Sequence, residues 1–182
     1  AVGPGLYSES VSVPSHVALV GSGAEQVILD VPAGNGVTFD GVVDSEIRGF
    51  TIQNAGGAGT AGLLLTNAAN RIRISRNVIQ DDSGSGVGVR LAARASATLE
   101  FNTLVGNDIH VLGAGTRTWA VVRNNILAQG RVGLRTESGG RLFNGFNLLD
   151  NTIDYQDAGG TGLGAVEDDL TGDPLFSPDG LF

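Results

Sequence analysis

Short runs of alternating apolar and polar residues follow one another along almost the whole chain. A representative run, 87–91, has Val or Leu at every second position and comes after a stretch rich in Asp, Ser and Gly. Runs of this length and period are typical of β-strands between turns. No stretch of ten or more residues keeps the 3.6-residue period of a helix. The pattern therefore predicts an all-β protein with very little helix.

The segment 71–79 recurs several times, and its recurrence indicates how the strands are arranged. Its Asn77-Val78-Ile79 triplet returns with Asn102, Asn125 and Asn147 in first place, in steps of 25, 23 and 22 residues. Each repeat contains three short strands. This period is typical of a right-handed parallel β-helix, in which each turn of chain, a rung, buries its apolar side by stacking on the next. We therefore predict one β-helix domain over 1–182 with about seven rungs.

A β-sandwich is the competing fold, because it also consists of short strands and frequent turns. A sandwich does not require apolar columns that repeat at a fixed step, whereas a β-helix does. The sequence predicts two such columns: Ile52, Ile79, Leu104, Leu127 and Leu149, and Leu63, Val87, Ile109 and Val132. These columns favour the β-helix.

The recurrent Asn residues are expected to have a structural role. Asn tolerates the left-handed conformation of tight turns, and its side-chain amide is able to bond an Asn one rung away. A ladder is therefore predicted at one corner of the helix, formed by Asn77, Asn102, Asn125 and Asn147. A direct functional role for these residues is the alternative.

Composition and charge narrow the classes of function. The 182 residues include no Cys, which excludes disulfides and thiolate metal sites, and all 11 basic residues are Arg. The net charge of −8 argues against binding to nucleic acid or to an anionic membrane surface. No apolar run is long enough for a membrane-spanning helix.

Three parts of the chain resemble a known group of proteins. Segments 5–14 and 17–23 resemble the opening rungs of bacterial secreted right-handed parallel β-helix proteins, the pectate-lyase-like superfamily. Arg123-Asn124-Asn125-Ile126-Leu127 resembles the repeats of that superfamily, and 172–176 resembles the segment that closes the helix in many surface-anchored members. The resemblance implies the fold and an extracellular or cell-surface location. It does not imply one activity, because this fold hosts lyases, hydrolases, epimerases, adhesins and stalks.

The ends of the chain depart from that resemblance. Members usually begin with a capping helix, which is not visible before Val2, and usually continue beyond a segment like 172–176. An uncapped solenoid exposes apolar rungs and unpaired strand edges. The expectation is therefore a segment of a longer chain whose ends meet a neighbouring domain, or a protein that self-associates end to end.

The resemblance also implies where a site would lie. In the superfamily the strand after the long loop usually forms the polysaccharide-binding face, and here that strand is 87–91 with its equivalents. Alternation predicts that Gly88 and Arg90 face outwards. On this basis the candidate catalytic residues are Arg90, His110 and Arg135. The loops that precede these strands add candidate Ca²⁺ ligands, Asp81, Asp82 and Asp108.

Such a patch would suit a lyase or an epimerase of uronate glycans. That chemistry needs a base and a cation that neutralises the substrate carboxylate. Arg90 and Arg135, about 10 Å apart on rungs two apart, would hold anionic sugars. The alternative is that 81–86 is a solvated turn and that His110 is a surface residue without a role.

The catalytic signatures of the superfamily are absent from this sequence. Asp82 is followed by Ser83 instead of Gly-His-Gly, the chain has no Lys, and Asp173-Pro174 continues with Leu175 instead of His-Glu. Their absence favours a protein that binds without catalysis.

Trp119, the only Trp, is a candidate sugar platform together with Arg90 and Arg135. The alternative for Trp119 is packing beneath the turn at 116–118. We therefore expect a non-catalytic extracellular β-helix module with a structural or polysaccharide-binding role. A lyase or epimerase of acidic glycans is the second hypothesis, and end-to-end self-assembly is the third.

Overall fold

The structure, a computed structural model, describes residues 1–55, 57–81, 84–160, 163–164 and 166–176. These residues form 21 β-strands and no helix, and none of them forms a segment that would span a membrane as a helix. The strands are β1 (Gly5–Tyr7), β2 (Val11–Ser12), β3 (Ala18–Val20), β4 (Val27–Asp30), β5 (Val37–Asp40), β6 (Glu46–Arg48), β7 (Thr51–Gln53), β8 (Ala61–Thr66), β9 (Ile72–Ser75), β10 (Val78–Gln80), β11 (Val87–Leu91), β12 (Ser96–Glu100), β13 (Thr103–Val105), β14 (Ile109–Ala114), β15 (Trp119–Arg123), β16 (Ile126–Ala128), β17 (Val132–Glu137), β18 (Arg141–Gly145), β19 (Leu148–Asp150), β20 (Ile153–Ala158) and β21 (Leu170–Thr171).

The strands belong to three sheets, and each turn of the chain adds one strand to each sheet. The first sheet has the order β1-β4-β7-β10-β13-β16-β19-β21, the second β2-β5-β8-β11-β14-β17-β20 and the third β3-β6-β9-β12-β15-β18. Neighbouring strands pair in parallel in all three sheets. About seven rungs of three strands therefore stack into a solenoid, which confirms the predicted parallel β-helix.

The core lies inside the three sheets and consists of columns of stacked apolar side chains. In the first sheet Ile79 pairs with Ile52 on one side and with Leu104 on the other, and all three are buried. The column continues through Leu127 to Leu149. It is the first of the two predicted columns, and stacking on successive rungs removes its side chains from water.

The second predicted column is wrong by two residues at its start. Leu63 pairs with Val89, whereas Val87 pairs with Ala61. Val87 belongs to a small apolar cluster on the outer surface of the second sheet, separate from the core: Ala61, Val87, Ile109, Leu112 and Val132. Alternation fails here because Gly88, next to the corner, faces inwards: a Cβ on it would lie 3.0 Å from Cδ2 of Leu104 in the core.

The corner between the third and the first sheet holds the predicted Asn ladder. Nδ2 of Asn77 donates to Oδ1 of Asn102 at 3.2 Å, Asn102 donates in the same way to Asn125 at 3.0 Å, and Asn125 to Asn147 at 3.1 Å. Each Nδ2 also donates to a carbonyl of the preceding rung, as Asn102 does to Ile74 at 2.9 Å. The ladder thus pairs backbone groups that the tight corner would otherwise bury unsatisfied.

The left-handed conformation in this corner belongs to the residue before each ladder Asn and not, as predicted, to the Asn itself. These residues are Arg76, Phe101, Asn124 and Phe146, with φ of 54°, 58°, 56° and 59°. The chain therefore bends at the residue before each ladder Asn, and the Asn that follows directs its side-chain amide into the corner. The side chains at the bend point to solvent, and Phe101 and Phe146 are exposed.

Candidate functional site

His110 does not face solvent, so its predicted place on the surface is wrong. Its side chain is 0% exposed. It occupies the column that holds Gly88 and Gly133 in the adjacent rungs, since Ile109 pairs with Val87 and Val132. A side chain in this column points into the corner between the first and second sheets. A buried imidazole of this kind is out of reach of a polymeric substrate.

The His110 ring fills the interior of that corner. Its Nδ1 lies 3.1 Å from Nδ2 of Asn107, and a Cβ on Gly130 would lie 2.6 Å from its Nε2. Burial lowers the pKa of His110 to about 4, although the nearby Asn151 side chain and Ala128 carbonyl favour the charged ring. Neither of these groups reaches hydrogen-bond geometry with Nε2, which has no partner among the described residues. The ring is therefore neutral at pH 7 and fills space that Gly130 leaves.

Arg90 and Arg135 lie on the outer surface of the second sheet, with Leu112 between them in register. Their Nε atoms are buried and have no hydrogen-bond partner within the described ranges. Nη2 of Arg135 is 2.5 Å from Oε1 of Glu137, and Nη1 of Arg90 donates to the Gly59 carbonyl at 3.3 Å. Their own chain therefore holds both guanidinium groups beside the outer apolar cluster, which makes them poorly available to a ligand.

Two of the three candidate calcium ligands, Asp81 and Asp108, take part in other contacts. The carboxylate of Asp108 accepts two hydrogen bonds from Arg131, at 2.6 and 2.9 Å, and this guanidinium lowers the pKa of Asp108. Asp81 is buried, and its Oδ2 accepts two backbone N–H groups of its own loop, at 3.0 and 2.6 Å. Asp82 lies outside the described residues. No three Asp, Glu or His residues of the described part are arranged to hold a metal ion.

Trp119 lies on the third sheet, and thus on a different face from Arg90 and Arg135. Its side chain is 43% exposed, so the ring faces solvent. Trp119 pairs in register with Arg141, and Val121 of the same strand pairs with Phe143, which is 55% exposed. Two exposed aromatic rings therefore lie on adjacent rungs of one face.

A cavity of about 680 Å³ opens beside these two rings. It is lined by Thr116, Arg117, Thr118, Trp119, Gly139, Arg141 and Phe143. The lining offers two aromatic rings, two guanidinium groups and the hydroxyl of the exposed Thr116, and it includes no carboxylate. Thr118 is buried, and its Oγ1 accepts the backbone N–H of Arg94 at 3.0 Å. Flat apolar surfaces beside a few hydrogen-bond donors are the composition of a binding site.

A neighbouring cavity of about 460 Å³ continues along the same face towards the N-terminal rungs. Trp119 lines both cavities, so they adjoin at its ring. In the second cavity Arg71 donates to both carboxylate oxygens of Asp44, at 2.5 and 2.6 Å, and this bond lowers the pKa of Asp44. The outer face of the third sheet therefore carries one long trough whose acidic groups are already bound.

The sequence pattern within one strand points to Trp119 but not to Arg141 and Phe143. The signal is present, because Arg141 follows Trp119 by 22 residues, the same step as from Asn125 to Asn147. Alignment of whole rungs on the ladder would therefore place Arg141 and Phe143 beside Trp119.

The stacked parallel sheets, the polar ladder in a corner and the trough on one face define a parallel β-helix protein. The chain belongs to the DUF1565 family, described as protein of unknown function, whose model matches residues 5–154. The family consists of parallel β-helix-like proteins. Neither the curated proteins nor the solved structures gave a match.

Proposed function

We propose that this chain is a non-catalytic glycan-binding module whose binding face is the third sheet around Trp119 and Phe143. The observation that carries the proposal is the pair of exposed rings on adjacent rungs beside a cavity of about 680 Å³. An aromatic ring is a rigid surface with a large apolar area, which suits the apolar face of a sugar. The guanidinium groups of the lining and the Thr116 hydroxyl supply hydrogen bonds for sugar hydroxyls.

The stacked rungs of the β-helix form a rod, and they hold this face rigid and align it along the rod axis. Both rings lie on strands and not on loops, one rung (~4.8 Å) apart along the axis and offset by two residues along the strand, so the paired strands fix their separation. An extracellular or cell-surface location belongs to the proposal, as does a place among the bacterial secreted proteins of the pectate-lyase-like superfamily. Both rest on the resemblance of 5–14, 17–23 and 172–176 to those proteins.

A lyase or epimerase is less well supported than a binding module. Its chemistry needs a base within reach of the substrate, and His110 is buried with a pKa of about 4. Asp108 and Arg135 are each paired with an oppositely charged residue. These contacts favour binding over catalysis.

Binding to a panel of immobilised polysaccharides tests the proposal. Trp119→Ala and Phe143→Ala are each expected to weaken binding about tenfold, or ~1.4 kcal/mol, while the thermal transition stays close to that of the wild type. Phe146→Ala is the matched control, because Phe146 has a similar exposure (62%) but lines a different cavity beside the first sheet.

Three results would count against the proposal. Absence of binding across the panel at millimolar sugar would refute it. An equal loss of binding affinity in Phe146→Ala and Phe143→Ala would show that the binding site does not lie in the trough. Release of an unsaturated sugar product would favour the lyase.

A further inference from the structure

We infer that the glycan bound on this face is anionic and lies along the axis of the rod, across the strands of the third sheet. This inference rests on the proposed function and adds to it the chemical class of the ligand. It comes from the distribution of arginine and carboxylate groups on the described part of the molecule.

Arginine is concentrated on one side of an acidic protein. The chain as a whole carries 19 acidic residues against 11 arginines. The third sheet and its two flanking corners nevertheless carry eight arginines: Arg48, Arg71, Arg73, Arg76, Arg94, Arg117, Arg123 and Arg141. The described residues of the same region include seven carboxylate side chains: Glu25, Asp44, Glu46 and Glu100, and, in the segment before β21, Glu167, Asp168 and Asp169. Outside this region the described residues include ten carboxylates against three arginines, so this face is the least negative part of the molecule and the one most favourable to anions.

The carboxylates of the third sheet and its preceding corner are already neutralised by arginines. The ion pairs are Asp44 with Arg71, Glu46 with Arg48, and Glu100 with Arg123. Arg76, Arg94, Arg117 and Arg141 have no ion-pair partner among the described residues. Two of these four, Arg117 and Arg141, line the cavity beside Trp119. Half of the arginines without an ion pair on this face therefore lie beside the aromatic rings, in a cavity that no carboxylate lines.

Guanidinium groups discriminate between anionic and neutral sugars. Their planar fork donates two parallel hydrogen bonds to a carboxylate or a sulfate, and a charge-assisted bond is stronger than a neutral one. A neutral sugar would leave Arg117 and Arg141 without a counter-charge. The cavity therefore matches a sugar that stacks on Trp119 or Phe143 and presents an acidic group to the arginines.

The register of the strands gives the ligand its direction. One outward column of the third sheet runs from Ala18 through Glu46, Arg73, Thr98 and Val121 to Phe143. Its five steps of ~4.8 Å span about 24 Å along the axis. Because the two cavities adjoin at Trp119, a polymer in the trough would cross successive rungs.

Matched polymers that differ in charge alone test the inference. Unmodified dextran is compared with carboxymethyl dextran and dextran sulfate, and polygalacturonate with its methyl ester, at ~50 mM and ~200 mM salt. The anionic forms are expected to bind at least about tenfold tighter at low salt, with a preference that shrinks as salt screens the arginines.

Two arginine variants localise the effect. Arg141→Gln is expected to remove most of the preference for the anionic form, and Arg141→Lys to restore part of it. Arg131→Gln changes the net charge equally but lies at the opposite corner, bound to Asp108, so it is expected to change binding less than about twofold.

The remaining outcomes separate this inference from the proposed function. Equal binding of neutral and anionic polymers that still needs Trp119 would refute the anionic class and keep the glycan module. No binding of any polymer would refute both. Equal losses in Arg131→Gln and Arg141→Gln would reveal unspecific attraction and overturn the inference. Tighter binding of single-stranded oligothymidylate than of the anionic glycans would overturn it in favour of a nucleic acid.

Discussion

Asp169 ends the Asn ladder, because its carboxylate lies where the next Asn would stand beside Asn147. Its Oδ1 accepts the backbone N–H of Asn147 at 2.7 Å and the side-chain Nδ2 of the same residue at 3.0 Å. Its Oδ2 accepts the Tyr155 hydroxyl and Nδ2 of Asn144, both at 2.7 Å. Every ladder Asn donates towards this end of the rod, and the ladder terminates on a group that only accepts.

Asp169→Ala is expected to lower the free energy of unfolding by about 2–4 kcal/mol, because it leaves the donors of Asn147 and Asn144 without their acceptor. Asp169→Asn should fall between this variant and the wild type, since it keeps one acceptor oxygen but turns an amide towards Asn144. Urea unfolding measures both. Asp168→Ala, at an exposed neighbour, should have almost no effect, and a loss as large as that of Asp169→Ala would contradict the capping role.

Asn125→Ala is expected to be more disruptive, since it breaks the ladder in the middle. Oδ1 of Asn125 accepts the backbone N–H of Asn102 at 2.9 Å, and its Nδ2 donates to the Leu99 carbonyl at 3.1 Å. Both backbone groups would be buried without a partner, at a cost of about 3–5 kcal/mol in the free energy of unfolding. Asn124→Gly is the control, because Gly accepts the left-handed conformation at that exposed position. Similar midpoints for the two variants in chemical unfolding would refute the structural ladder.

The sequence predicts those features well in which one type of residue recurs at a fixed step along the chain. The column through Ile79 and the ladder through Asn77 are of this kind. Asp169 follows Asn147 by the same 22 residues, yet its different side chain hides the match. Alternation misplaces His110, because it assumes a flat strand and the corner turns residue 88 and its equivalents inwards. The trough around Trp119 is formed by residues from several rungs, and the rungs differ in length. The periodicity within one strand does not reveal which residues of different rungs pair.

Gly88→Ala is expected to destabilise the protein through steric conflict alone. A Cβ at this position would lie 2.7 Å from the His110 carbonyl oxygen and 3.0 Å from Cδ2 of Leu104. The backbone oxygen belongs to a paired strand and is not free to move, so about 1–3 kcal/mol should be lost from the free energy of unfolding. At Gly145, also in a strand, a Cβ would meet no atom within 4 Å. Gly145→Ala should therefore be neutral or slightly stabilising, and equal thermal transitions for the two variants would contradict the tight corner.

His110 links the stability of the protein to pH. Its pKa is about 4 when folded and 6.5 ordinarily, so the unfolded state takes up the proton first as pH falls. The contribution of the neutral His110 ring to the free energy of unfolding is complete above pH 6.5. It declines towards pH 4, by about 3 kcal/mol over the whole window. Denaturant titrations from pH 7.5 to 4 should show a flatter pH dependence for His110→Asn, because Asn does not titrate. His16→Asn, which alters the other and largely exposed histidine, should keep the steep dependence of the wild type. Parallel curves for His110→Asn and the wild type would mean that the ring is not held neutral in the folded protein.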